Sequence, residues 1–242
     1  MFEWTVQNMP NALVTGASSG IGRALAIRLL DKGYTVLGIG RNEEQLKELA
    51  SKYTGFTYMV ADLSSPENIE KIKNKVASSF SPLDLLVNNA GYGQKKKITE
   101  MAQQEITSMV NVNFVAPLLL TNSLLPYMPQ GSTIVNVVTA GIFVLMRQLP
   151  LYGATKIALH YASKALRNEL RQKGINLVQV YPGLINTNFH PRAGLPEATR
   201  GEPPEKVAEA IIRAIEKKKK EVFVPGYLAI LKIFGPQLPE VF

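Results

Sequence analysis

Tyr152 and Lys156 stand four residues apart in the stretch Leu151-Tyr152-Gly153-Ala154-Thr155-Lys156. On a helix that spacing puts both side chains on one face, one turn apart. A free phenol titrates at about 10 and does little acid–base work at neutral pH. An ammonium held one turn away favours the phenolate and draws that value toward the working range. The pair then suits proton exchange with an alcohol or carbonyl oxygen. Spacing alone is a weak sign, because any amphipathic helix can carry Tyr-x-x-x-Lys on a solvated face. The stretch near the N-terminus gives it weight.

There the chain reads Asn11-Ala12-Leu13-Val14-Thr15-Gly16-Ala17-Ser18-Ser19-Gly20-Ile21-Gly22. A short apolar run is followed by Gly-x-x-x-Gly-x-Gly and then by an amphipathic segment through Arg23, Leu25, Ile27, Leu29 and Leu30. Strand, glycine-rich turn and helix N-terminus in that order make a site for a pyrophosphate. Glycines let the backbone approach the phosphates, and the free N–H groups and dipole of the helix face the charge. A tight turn that needs glycine for its geometry alone is the blander reading.

These segments must be held by a scaffold, and the rest of the chain supplies one. Apolar runs predict strands at 12–15, 35–39, 57–60, 83–87, 133–138, 176–181 and 221–224. Helical patterns fall between them at 43–52, 66–79, 99–125, 151–173 and 204–216. Such alternation predicts a parallel sheet covered on both faces, with right-handed crossovers. The stretch 188–203, with proline and glycine, reads as a loop over the active site.

Composition sets outer limits. A chain of 242 residues with 46% hydrophobic and 19% charged residues can bury a sizeable core. Without cysteine there are no disulfides or thiolate metal ligands, and two histidines cannot build a multi-histidine metal site. The start, Met1-Phe2-Glu3-Trp4, has no basic region followed by an apolar stretch, so no secretory leader is expected and the cytoplasm is the expected location. Much of the net charge of +8 sits in Lys95-Lys96-Lys97 and Lys217-Lys218-Lys219-Lys220. Neither run has interleaved aromatics, so nucleic acid is not an expected partner. Both read as solvated surface; Lys95 to Lys97 could also attract an acidic substrate or phosphorylated cofactor.

Taken together, the motifs resemble those of the short-chain dehydrogenase/reductase family. They occur in family order: Thr15-Gly16 to Gly22, Asp62, Asn88-Asn89-Ala90-Gly91, Asn113, Thr139, Tyr152-x-x-x-Lys156 and Pro182-Gly183-x-x-x-Thr187. The resemblance runs from Ala12 to Pro225. It implies one Rossmann-type α/β domain over residues 1–242, a doubly wound parallel sheet of about seven strands. It further implies an oxidoreductase that moves hydride between a nicotinamide cofactor and a carbonyl–alcohol pair, with Asn113, Thr139, Tyr152 and Lys156 as the catalytic set. Tyr152 gives the proton, the Thr139 hydroxyl steadies the substrate oxygen, and Lys156 holds the nicotinamide ribose. Asn113 anchors a water leading to the lysine, with Asn111 as the neighbouring candidate. Where the family usually has Ser-Ser, this chain has Val138-Thr139; the extra methyl narrows the site.

By the same resemblance the cofactor is held by Gly16, Ser18, Ser19, Gly20, Ile21 and Gly22, by Asp62 and Leu63 at the adenine, and by Asn89, Ala90 and Gly91 beneath the adenosine ribose. Pro182, Gly183, Ile185 and Thr187 hold the nicotinamide carboxamide. Asn88 reads more simply as a structural tie between strand ends. Cofactor choice can be argued locally. Dinucleotide folds that prefer NAD place a carboxylate at the end of the second strand, on the ribose 2′-OH. Here the chain reads Ile39-Gly40-Arg41-Asn42, and a guanidinium pairs with a 2′-phosphate. NADP(H) is expected over NAD(H).

Other classes are weighed against this. A non-catalytic nucleotide sensor would be free to lose Tyr152 or Lys156. An extended sugar epimerase needs a larger C-terminal domain, and a related enoyl reductase usually separates its Tyr and Lys by six residues. The apolar segment Ile142-Phe143-Val144-Leu145-Met146 should border the substrate pocket, which suggests an apolar carbonyl compound. Helices 99–125 and 151–173 carry surplus apolar positions and, by resemblance, pair across a two-fold axis, so a homodimer or homotetramer is expected. The tail 227–242 opens with eight nearly all-apolar residues, too few for a span of roughly twenty. It should pack on the body or a second subunit; a membrane surface beside the four lysines is the alternative, and with it a lipid reductase.

Overall fold

The computed structural model describes residues 9–234. The first residues of the chain and the end of the expected tail, from Gly235, therefore lie outside the described residues. Seven strands form one sheet in the order β3-β2-β1-β4-β5-β6-β7. They are β1 (Asn11–Thr15), β2 (Thr35–Gly40), β3 (Phe56–Val60), β4 (Leu85–Asn88), β5 (Thr133–Val137), β6 (Asn176–Pro182) and β7 (Glu221–Val224). All six pairings are parallel. This is the doubly wound α/β arrangement expected from the sequence.

Alternation along the strands divides the core in two. Ala12, Val14, Val36, Val87, Val135 and Val178 face α1 (Gly20–Asp31), α2 (Glu43–Lys52) and α8 (Pro204–Glu216). Leu13, Leu37, Ile39, Leu86, Ile134 and Leu177 face α3 (Pro66–Ser79), α5 (Ala116–Leu124) and α6 (Pro150–Gln172). Both faces are covered, which is why the strands read as unbroken apolar runs. Each fully buried leucine or isoleucine there contributes about 1.5–3 kcal/mol over an exposed one.

The expected long helix at 99–125 differs at its start and in its middle. Ile98–Glu100 is a 3-10 turn, and α4 (Gln103–Val110) begins only after Ala102. Glu105 fixes that start by accepting the Ala102 N–H at 2.8 Å. Between α4 and α5 the chain widens into a π-helical turn, Asn111–Val115, where the Ala116 N–H bonds the Asn111 carbonyl five residues back. Pro117 is the sequence cause, because it has no N–H to give the Asn113 carbonyl its usual α-helical partner. The run Gln103–Tyr127 is long and apolar enough to cross a membrane, with 44% of its most apolar window buried in the protein. It packs on α3 and α6, so its apolar residues have a core to serve.

β1 pairs with β2 on one side and β4 on the other: the chain runs outward from β1 to β3, then crosses back through α3 to β4 and continues the opposite way. A crevice opens at the carboxyl ends of the strands where such an order reverses. The tail, Gly226–Ile230 and α9 (Leu231–Phe234), folds back so that Lys232 pairs with Glu221 at the start of β7.

Candidate active site

At those carboxyl ends lies a cavity of about 1480 Å³. Its floor is the glycine-rich turn. Gly16 has φ +69°, which an L side chain rarely adopts, and a Cβ on Gly22 would sit 2.3 Å from the Gly16 carbonyl oxygen. Gly22 therefore acts by letting α1 start close under the turn, and it does not line the cavity itself. The Thr15 hydroxyl joins β1 to β4: it accepts the N–H groups of Asn89 and Ala90, each at 3.0 Å, and donates to the Val87 carbonyl. Asn89 donates back to the Thr15 carbonyl at 2.9 Å. Ser19 is the N-cap of α1, yet its side chain makes no capping bond. The first N–H groups of that helix, with the positive dipole end behind them, are left for an anion.

Ser18, Ser19, Gly20, Ile21, Asn89, Ala90 and Gly91 line this end of the cavity, and Arg41, Asp62 and Leu63 line its rim. Arg41 and Asp62 form an exposed ion pair at 3.8 Å. Burial raises the Asp62 pKa, but the Ser64 N–H and hydroxyl and the Arg41 charge outweigh it and hold the carboxyl below its usual range. At the other end lie Thr139, Tyr152, Lys156, Pro182, Gly183, Ile185 and Thr187. The glycine-rich turn, strand-end residues and helix N-terminus thus fit a dinucleotide laid across the switch point, with a turn so tight that a Cβ at Gly16 or Gly22 would strike Asn89.

Tyr152 is held in the first turn of α6, with its ring 5.1 Å from that of Phe189. Burial raises its pKa above the ordinary phenol value, and only a hydrogen bond with Thr139 pulls the other way. Lys156, one turn on, is 3% exposed, and its Nζ donates to the Val137 carbonyl at 2.9 Å. Burial brings its pKa down to about 8. The expected depression of the Tyr152 pKa by Lys156 is therefore not found in the free protein. The lysine's charge is itself disfavoured, and its ammonium turns to the sheet. The phenol stays protonated, which is the form able to donate. Thr139 caps the 3-10 turn Ala140–Phe143, accepting the Gly141 N–H and donating to the Pro182 carbonyl, both at 3.2 Å.

Asn113 does not reach the cavity surface. It is fully buried, with its amide accepting the Tyr92 N–H at 3.0 Å and donating to the Tyr92 carbonyl at 2.9 Å and Thr155 Oγ1 at 3.0 Å. A Cβ on Gly91 would meet both Asn113 Oδ1 and Lys156 Nζ, so the three are close neighbours. Asn111 instead donates to the Ser64 carbonyl. Asn88 is the strand tie expected of it, donating to Asn136 Oδ1 at 2.8 Å.

Of the apolar segment 142–146, only Val144 and Met146 line the cavity. Phe143 turns inward against His160, Tyr181 and Phe223. Leu149, Phe189, Leu195, Tyr227 and Leu228 complete an apolar wall. Phe189, His190 and Arg192, all on the short α7 (Phe189–Arg192), were not singled out from sequence. Only the loop that carries them was, because no local spacing ties them to the site. The lysines at 95–97 bring no free charge to the cavity as a group: Lys96 pairs with Glu105 at 2.7 Å and Lys97 with Glu100 at 3.2 Å.

The family model described as short chain dehydrogenase matches residues 10–196. An uncharacterised oxidoreductase of Staphylococcus epidermidis is 32% identical over 207 residues, covering 84% of this chain and 90% of its own. The short-chain dehydrogenase of Sphingobium yanoikuyae in complex with NADPH superposes with a TM-score of 0.84 at 24% identity, covering 92% of this chain and 90% of its own. The bulky-bulky ketone specific alcohol dehydrogenase of Comamonas testosteroni superposes with a TM-score of 0.77 at 26% identity, covering 90% and 87%.

Proposed function

The chain belongs to the short chain dehydrogenase family and is an oxidoreductase; from that premise we propose that it uses NADP(H) to interconvert an apolar carbonyl compound and its alcohol. The observation carrying this reading is the meeting of Tyr152, Thr139 and Lys156 beneath the wall formed by Met146, Leu149 and Phe189. Bound along the crevice, the cofactor supplies or takes up the hydride. Gly16, Ser18 to Ile21, Asp62, Leu63 and Asn89 to Gly91 hold its adenosine and phosphates, with Gly22 keeping the turn tight beneath them, Arg41 holds its 2′-phosphate, and Pro182, Gly183, Ile185 and Thr187 its carboxamide.

In reduction Tyr152 gives its proton to the carbonyl oxygen as negative charge grows there, and the Thr139 hydroxyl, rotating its one O–H away from the Pro182 carbonyl, donates a hydrogen bond to the same oxygen. The raised Tyr152 pKa suits this direction, since a neutral phenol is the donor. Lys156 restores the proton and fixes the ribose, and Asn113 holds the Tyr92 backbone and the π turn beside it. The resemblance to a bulky-ketone dehydrogenase supports an apolar substrate of some size. The protein works as one domain in the cytoplasm. Ile157 and Tyr161 on α6 and Leu119 on α5, at 49%, 76% and 37% exposure, favour a homodimer or homotetramer built on those helices. The exposed Tyr227, Ile230, Ile233 and Phe234 favour a second reading, a lipid reductase that touches a membrane.

A screen of NADPH oxidation against aldehydes, ketones, diketones and acyl thioesters tests the assignment. Bulky apolar carbonyls should be turned over, and Tyr152→Phe should lose about a hundredfold or more of kcat while still binding NADPH. Near-wild-type kcat in that variant would remove Tyr152 from the reaction.

A further inference from the structure

We propose, resting on the dinucleotide reading above, that Arg192 is a ligand of the cofactor's pyrophosphate, reaching it from the loop on the far side of the cavity. The loop is pinned at its base, where the Asn186 N–H bonds the Glu202 carbonyl and the Glu202 N–H bonds the Leu184 carbonyl, both at 2.9 Å. It is pinned again at its tip. Ala193 is 3% exposed, and its carbonyl accepts the Lys95 N–H at 2.7 Å. Arg192 therefore leaves a fixed backbone position. Its guanidinium Nη1 lies 3.4 Å from Ser19 Oγ, a contact between residues 173 positions apart.

That contact is chemically incomplete. Ser19 is the N-cap of α1 but leaves the helix uncapped, and the first turn of α1 has no acidic residue. The guanidinium thus meets the positive end of a helix dipole with only a neutral hydroxyl between them. Two positive features this close repel, and an anion touching both satisfies both. Arg41, by contrast, already faces a carboxylate at the opposite rim. The pyrophosphate is the anion that a dinucleotide brings to the glycine-rich turn. It is common to NAD and NADP, so Arg192 adds affinity without choosing between them, the complement of the role given to Arg41. Phe189, three residues earlier on α7, rests on the Tyr152 ring. One short helix therefore meets the cofactor at one end and the substrate at the other.

The test is calorimetric titration of the wild-type protein and of Arg192→Gln, Arg192→Lys and Arg41→Ala with NADP⁺, NAD⁺, ADP-ribose and adenosine 2′-monophosphate. Arg192→Gln should raise Kd about tenfold for the three ligands that carry a pyrophosphate and leave adenosine 2′-monophosphate unchanged, with part of the loss restored in Arg192→Lys. Arg41→Ala should show the opposite pattern. Because Arg192 is exposed, its variants should melt with the wild type. Equal Kd values for Arg192→Gln and wild type would overturn the proposal, as would losses confined to NADP⁺ and adenosine 2′-monophosphate. Wild-type protein that binds none of the four would overturn the dinucleotide site itself, and this proposal with it.

Discussion

Lys156 Nζ donates to the carbonyl of Val137, the last residue of β5, at 2.9 Å. The height of the lysine above the sheet is thus set by a strand end 19 residues earlier. Gly91 keeps the other side open, since a Cβ there would lie 3.2 Å from the same nitrogen. A buried ammonium whose partner is a neutral carbonyl is disfavoured as an ion, and burial brings its pKa down to about 8.

Stability should report this burial. Between about pH 8 and the usual lysine value of 10.5, the unfolded chain holds the proton and the folded protein does not. Stability from this group therefore rises with pH through that window and is flat on either side, a swing of at most about 3 kcal/mol. Lys156→Met, which removes the charge and keeps the length, should be more stable than wild type in urea at pH 7. The gap should close as pH climbs toward 10.5. A gap independent of pH would place the effect in packing.

Thr139 is expected to act through its hydroxyl. Thr139→Ala should lower kcat by about tenfold to a hundredfold, since one oxyanion-type donor is lost. Thr139→Ser should keep most of the rate and relax the limit on substrate width, because only the methyl leaves. Steady-state kinetics on one narrow and one wide ketone distinguish the two. Equal damage in both variants would mean that the methyl's packing, and not the hydroxyl, matters.

The sheet was legible because its strands are buried on both faces and so read as apolar runs; β2, β5 and β7 begin where the pattern places them. The glycine turn was legible because close approach leaves only one residue type possible at Gly16 and Gly22. The break in the long helix was not, although Pro117 marks it, because proline near a helix start is common and a π turn rare, so proline alone does not point to one. The pKa relation of Tyr152 and Lys156 was misjudged for a different reason. Spacing fixes their distance along the helix, whereas burial and the Val137 carbonyl, which act through tertiary structure, fix the protonation. Arg192 belongs to the same class: a contact across 173 positions leaves no local pattern.

Arg41 should set cofactor choice. Its pair with Asp62, at 3.8 Å between half-exposed and exposed side chains, is worth about 0–1 kcal/mol and is readily exchanged for a 2′-phosphate. Arg41→Ala should weaken NADPH about tenfold and leave NADH nearly unchanged. A fluorescence titration with equal losses for both would sink the idea. Thermal stability should barely move.

The strand-end amides should be coupled energetically. Asn88 donates to Asn136 at 2.8 Å, Asn136 donates to the Ser163 hydroxyl at 2.8 Å, and Ser163 donates to the Leu159 carbonyl at 2.6 Å, all buried. Asn136→Ala takes the 2.8 Å acceptor from the Asn88 amide, leaving it only the 3.5 Å contact with the Pro117 carbonyl, and takes the donor from the Ser163 hydroxyl; it should cost about 2 kcal/mol. The double variant Asn88→Ala/Asn136→Ala should cost less than the sum of the single ones, because each single change already breaks the same bond. Additive urea-unfolding energies would show that the two amides act independently.

The tail ties the substrate wall to the surface. Leu228 and Leu231 pack on Val138, Ala140 and Tyr181, and a Leu228 methyl lies 2.4 Å from where a Gly183 Cβ would be. The expectation of apolar contact all round is met on this side only; Tyr227, Ile230 and Ile233 stay 73%, 55% and 68% exposed. Leu228→Ala opens the wall beside Pro182 and Gly183, so it should raise KM for a bulky ketone severalfold and cost about 1–2 kcal/mol, less than a fully buried leucine. Ile230→Glu/Ile233→Glu alters only the outer face. If that face meets a second subunit, the double variant should sediment as a smaller species while retaining the wild-type KM. Unchanged mass together with lost binding to anionic liposomes would move the outer face from protein to membrane. An unchanged KM in Leu228→Ala would take the tail out of the substrate pocket.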